Sequence, residues 1–130
     1  MQFKSKGKIR YSPDTRKNDN KWWVILDCQV DIGKYYRNLY ELSTFKTQKL
    51  RVPSWKEHIT IVRNEKPLNE DAWRLYNNKK VEFDYSTIPR WNDQYYWLDV
   101  RCDFFYQLRV ELGLMKEPEI PFHLTFGTKL

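Results

Sequence analysis

One order of elements occurs twice in this chain. Trp22 to Cys28 (WWVILDC), a helical run and Glu57 to Val62 (EHITIV) make the first copy; Tyr95 to Cys102 (YYWLDVRC), a second helical run and Phe122 to Gly127 (FHLTFG) make the other. Each copy reads as strand, helix, strand, because aromatic and β-branched runs suit a sheet while apolar spacings of three and four suit a helix packed on it. Two such units fuse into one sheet with helices against it. The pattern predicts a single α+β domain over residues 1–130, built as two pseudo-duplicated lobes of mostly antiparallel sheet around a central cleft.

The finer reading follows turn and cap chemistry. Gly7 to Ser12 alternates as a short strand, and Pro13 to Lys21 is a polar, turn-rich connection. Trp22 to Val30 is a buried strand, and Asp31 is placed to cap a helix running to about Leu42. Ile32, Tyr35, Tyr36, Leu39 and Leu42 would form that helix's apolar face. Glu57 to Arg63 is the next strand, Leu68 to Asn77 a short helix after Pro67, Lys80 to Tyr85 a strand, and Ser86 to Asp93 a loop. Gln94 to Arg101 is a strand, followed by a helix that Asp103 caps. In that helix Phe104, Phe105, Leu108 and Leu112 point to one side, and Gly113 and Pro118 end it. Trp22, Trp23 and Trp97 fall inside strands and read as core.

Aromatic residues make up 17% of the chain, which argues for an ordered core, and the net charge of +6 favours anionic partners. Cys28 and Cys102 match no metal-ligand spacing and read as buried free thiols of a reducing compartment. There is no apolar leader and no apolar run long enough to span a bilayer, so a cytoplasmic protein with no membrane partner is expected. No stable protein partner is evident, and the oligomeric state is open.

His58 and His123 are the only histidines, and each is followed two residues later by a threonine, Thr60 and Thr125. Residues i and i+2 share a face of a strand, so each pair projects together while Ile59, Ile61, Leu124 and Phe126 turn to the core.

The duplicated HITI and HLTF motifs resemble the signature of the 2H phosphoesterase superfamily, whose members are similar to this chain in length, in two-lobed α+β architecture and in carrying one His-x-Thr/Ser strand per lobe. The resemblance implies metal-free cleavage of a phosphodiester, usually beside a ribose 2′-hydroxyl, with His58, Thr60, His123 and Thr125 as catalytic residues and no cofactor. Such a reaction needs a base for the hydroxyl proton and an acid for the departing oxygen, and imidazole serves as either near neutral pH. Threonine hydroxyls can donate to the non-bridging oxygens. Which histidine is the acid stays open. No carboxylate completes a metal set with both histidines, and Glu57 should point away from His58.

A short, basic, aromatic-rich chain looks most like the phage anti-CBASS nucleases, which resemble 2H enzymes and degrade the cyclic di- and trinucleotides of bacterial immune signalling. Bases of such a ligand need flat partners, and Tyr11, Trp55 and Trp91 are the candidate platforms, with core or rim packing the alternative for each. Lys56 is a candidate phosphate contact. Two further readings are an RNA-end enzyme acting on 2′,3′-cyclic phosphates or 2′-5′ linkages, and a non-catalytic nucleotide-binding sponge.

Overall fold

The computed structural model of the protein describes residues 2–13 and 21–129; most of the expected polar connection, residues 14–20, lies outside the described residues. Among the described residues the elements are β1 (Gln2–Tyr11), β2 (Trp23–Cys28), α1 (Val30–Ser43), β3 (His58–Arg63), a 3-10 turn (Glu70–Ala72), β4 (Lys80–Ser86), β5 (Arg90–Trp91), β6 (Tyr95–Arg101), α2 (Asp103–Glu111) and β7 (His123–Thr128). The strands form one sheet in the order β4-β1-β2-β3-β7-β6-β5, and every pairing is antiparallel. A further pairing of β4 with β6 closes six of them into a barrel. The α+β class and the antiparallel sheet are as expected. The two strand-helix-strand units, however, share one continuous sheet joined at β3 and β7, and β4, which belongs to neither, closes it.

Alternation along the strands puts Ile9, Val24, Leu26, Ile59, Leu98 and Leu124 on one face, all fully buried. The helices cover that face crosswise, α1 lying on β7 of the other unit and α2 on β3. Tyr36 of α1 meets the Phe126 ring, and Phe105 of α2 meets Phe122, so one core joins both units. No helix among the described residues is long and apolar enough to cross a membrane.

Two bulges sit at equivalent places. Ile25 pairs with Thr60 while Val24 pairs with Val62, so Ile61 is an extra residue on β3; Trp97 pairs with Thr125 while Tyr96 pairs with Gly127, so Phe126 is extra on β7. A bulge leaves backbone groups without a ladder partner, and a buried carbonyl needs another donor. Each helix supplies one from an arginine. Nη1 of Arg37 donates to the Phe126 carbonyl at 3.0 Å, and Nη1 of Arg109 donates to the Ile61 carbonyl at 3.0 Å. Arg37 is neutralised by Glu57, itself only 2% exposed, and Arg109 by a two-pronged pair with Glu65 at 2.8 and 2.9 Å.

These arginines explain where the predicted helix face fails. The buried stripe of α1 runs through Gly33 and Tyr36, while Tyr35, Leu39 and Leu42 are exposed. A Cβ on residue 33 would lie 2.2 Å from Oε1 of Glu57, so glycine lets the helix approach closely enough for Arg37 to reach both partners. Asp31 lies in the first turn and Gln29 takes the cap position, so the carboxylate acts on the helix dipole and not as the cap. The same holds for Asp103 behind Cys102. The helix expected over Leu68 to Asn77 reduces to the 3-10 turn, because Arg74 and Asn78 take left-handed backbone that a helix does not contain. Trp73 and Tyr76 there pack instead on Tyr11, Trp22 and Phe104. The loop of Ser86 to Asp93 contains β5, and β1 extends well before Gly7.

Removing Arg37 strands a buried carboxylate and a bulge carbonyl together. Arg37→Ala should therefore cost about 3–5 kcal/mol, read as a lower denaturant midpoint at unchanged slope. Arg37→Met combined with Glu57→Leu should regain most of it. A cost below about 1 kcal/mol for the single change would contradict the bridging role.

Candidate active site

β3 and β7 meet through a single bridge, Ile59 opposite Leu124. Continuing that antiparallel register by one residue either way sets His58 against Thr125 and Thr60 against His123. Opposite residues share a face, so the four side chains form one square patch with the imidazoles on a diagonal, about 7–8 Å apart at the backbone of a regular pair. The sequence placed each His–Thr pair on one side of its strand; the register brings the two pairs together. All four residues are half-buried, and neither threonine hydroxyl bonds to any described residue.

The imidazoles are anchored alike. Nδ1 of His58 lies 2.9 Å from the Lys56 carbonyl, and Nδ1 of His123 lies 2.8 Å from the Pro121 carbonyl. A carbonyl only accepts, so each Nδ1 carries a hydrogen, and Nε2 is the nitrogen left to exchange a proton. On the His58 side the anchor depends on an unusual backbone, since Trp55 and Lys56 take φ of 61° and 57°, consecutive left-handed residues that cost energy outside glycine. They turn the Lys56 carbonyl to His58 and bring the Trp55 ring 5.5 Å from the imidazole.

The neighbouring strands repeat the symmetry. Asp27 on β2 pairs with His58, and Asp99 on β6 pairs with His123. Arg10 grips Asp27 at 2.8 and 3.0 Å, and Arg90 holds Asp99 at 3.0 Å, while Trp97 donates its indole hydrogen to Asp99 at 3.2 Å and packs 6.3 Å from the His123 ring. Arg63, which the β3 bulge turns to the same face, lies over Trp23, itself against Trp55.

Both histidines are held below the ordinary imidazole pKa, chiefly by burial. For His58 the Lys56 carbonyl and then Asp27 oppose this, while His123 and Arg63 add to it. For His123 the Pro121 carbonyl opposes it, Arg63 adds to it and Asp99 opposes it. Arg63 thus acts on both rings from one position, and each imidazole has its own carboxylate.

Of the proposed ligand contacts, Trp55 adjoins His58. Lys56 supplies its carbonyl, and its side chain is exposed. Tyr11 is a correction: it is 3% exposed, packs edge-on to Trp73 and accepts a hydrogen bond from the Tyr76 amide through its hydroxyl, so it belongs to the core. Trp91 stacks on Tyr96, on the face opposite Arg90 and Trp97, and is not brought to the patch. Trp23 and Trp97, expected in the core, flank the histidines. Arg10, Asp27, Arg63, Arg90 and Asp99 were not singled out from sequence; the one signal for two of them is the Leu-Asp pair that recurs at Leu26–Asp27 and Leu98–Asp99. Burial raises the thiol pKa of both Cys28 and Cys102, which keeps them protonated and chemically quiet. No protein family, curated protein or solved structure matches this chain.

Because Asp27 holds the His58 pKa up, Asp27→Asn should lower it further and leave His123 nearly unmoved. Asp99→Asn should do the reverse. Titration of the imidazole Cε1–H resonances by NMR reads both, and a shift of the wrong ring, or upward, would break the assignment.

Proposed function

We propose that this chain is a metal-independent phosphodiesterase of the 2H type, acting on cyclic di- or trinucleotides through acid–base catalysis by His58 and His123. The observation that carries the reading is the diagonal of two identically anchored imidazoles with a threonine hydroxyl beside each. A phosphate lying over the square would have Nε2 groups on opposite sides. One removes the proton of the attacking hydroxyl, a ribose 2′-hydroxyl or a water, as the new P–O bond forms. The other delivers a proton to the leaving ribose oxygen as the old P–O bond breaks. Thr60 and Thr125 donate to the non-bridging oxygens, and the Arg63 guanidinium balances the negative charge that develops there.

Symmetry supports the substrate class. The approximate two-fold relating His58 to His123 also relates Asp27 to Asp99 and Arg10 to Arg90, with Trp55 on one flank and Trp97 on the other. A cyclic dinucleotide has a matching two-fold, with a base on either side of its phosphates, and base–aromatic stacking contributes about 1–3 kcal/mol per base. In an infected bacterium such an enzyme would clear the cyclic-nucleotide signal that triggers CBASS defence.

The purified protein should linearise a cyclic dinucleotide in EDTA, detected by mass. His58→Ala and His123→Ala should each lower the rate by roughly 10²–10⁴-fold without loss of the folded circular-dichroism spectrum. Since both pKa values lie below the ordinary imidazole value, kcat/KM should peak below about pH 6.5. Full activity in either variant would sink the two-histidine mechanism, and activity abolished by chelation would sink metal independence.

A further inference from the structure

The residues flanking the histidine patch are not equally distributed. Read across the sheet from His58, the register runs through Asp27 on β2 to Lys8 on β1 and Lys80 on β4, all on one face. Lys6 and Arg10 stand two residues either side of Lys8 on that same face of β1. A surface cavity of about 310 Å³ lies here, with Lys6, Lys8, Arg10, Asp27, Asn78 and Lys80 in its lining.

Charge makes this cavity unusual. Lys8 and Lys80 are directly opposite, a like-charge placement that destabilises a sheet. Lys4, four residues earlier on β1, shows the ordinary remedy, with Nζ 3.6 Å from carboxylate oxygens of both Glu82 and Asp84. Lys6, Lys8 and Lys80 form no ion pair among the described residues: Glu82, opposite Lys6, is engaged by Lys4, and Asp27, opposite Lys8, is taken by Arg10. The other end of the sheet has no counterpart: at the position equivalent to β1, β5 offers Arg90, which is bound to Asp99, and no lysine.

From this juxtaposition we infer that Lys6, Lys8 and Lys80 form a second phosphate subsite, which holds a further phosphate of the same oligonucleotide whose scissile group sits on His58 and His123. Strands are spaced about 4.8 Å apart, so the Lys8 backbone is about 10 Å from that of His58, and flexible amines close part of this gap. One phosphate cannot serve both places. The inference rests on the proposed reaction for the identity of the first phosphate, and it adds a direction: the ligand's remaining phosphates leave the histidines towards β1 and not towards β5.

Binding separates this inference from the reaction itself. A fluorescein-labelled single-stranded oligoadenylate, titrated against the His58→Ala/His123→Ala protein at several salt concentrations, gives the slope of log affinity against log salt. Adding Lys8→Ala and Lys80→Ala should weaken binding and flatten that slope by about 0.7 for each amine removed. Lys46→Ala, in the turn that follows α1, should change it little. In the otherwise unaltered protein the two lysine changes should reduce kcat/KM for a cyclic dinucleotide while sparing adenosine 2′,3′-cyclic phosphate, which has one phosphate. Lysine variants that bind like Lys46→Ala, or a parent protein that does not bind the strand, would overturn the subsite. Lysine-dependent binding with no cleavage of either substrate would support the subsite and refute the proposed reaction.

Discussion

Two arginines, Arg109 buried and Arg37 half-buried, tie the two units of this fold together. Arg37 and Arg109 each leave their own strand-helix-strand unit and donate to the bulge carbonyl of the other unit's histidine strand. Burying a guanidinium is costly unless nearly all of its hydrogens are used and its charge is matched. Glu57 and Glu65 meet that requirement, and Arg109 also donates from Nε to the Met115 carbonyl at 2.8 Å. Glu57 directly precedes His58, and Phe126 directly follows Thr125. The Arg37 bridge thus fixes the relative positions of the two motif strands across a junction that has a single backbone pairing.

The bulges serve the site as well as the frame. An extra residue shifts the phase of a strand, so that after Thr60 the next outward side chain is Arg63 and not Val62. The same shift on β7 makes Thr128 outward after Thr125. Cation on one strand and hydroxyl on the other is thus a difference between otherwise equivalent halves. It sits beside two imidazoles whose tautomers, depressed pKa values and carboxylate neighbours agree. In the proposed reaction the choice of acid and base falls to such differences, Arg63, Trp55 and the lysine row among them, because the anchoring of the rings does not distinguish them.

Much of this arrangement was legible in the sequence, and the illegible parts have a common cause. Period-two alternation placed His58 with Thr60 and His123 with Thr125, and the recurring strand-helix-strand order gave the units. Alternation within one strand says nothing about its neighbours. Asp27, Asp99, Arg10 and Arg90 acquire meaning only through cross-strand register, which no local pattern encodes. Apolar spacing on α1 favours Leu39 and Leu42, whereas the helix is oriented by Gly33 and the half-buried Arg37, which is bound to a buried glutamate. Tyr11 and Trp91 read as base platforms in the sequence, yet Tyr11 fills the core beside Trp73 and Trp91 covers Tyr96. Trp23 and Trp97 show the converse, strand residues on the polar face.

The crossed helices bear on how the chain reaches its native state. The bond from Arg37 to Phe126 spans 89 residues, and β7, which receives it, is the last strand. Each helix lies mainly on the other half's motif strand, so an early hairpin or helix gains little until the distant partner arrives. Loop closure over such a distance must be met before native contacts repay it, and topologies of this kind slow folding. The halves, alike as they are, are not self-sufficient: each completes its core with the other's helix.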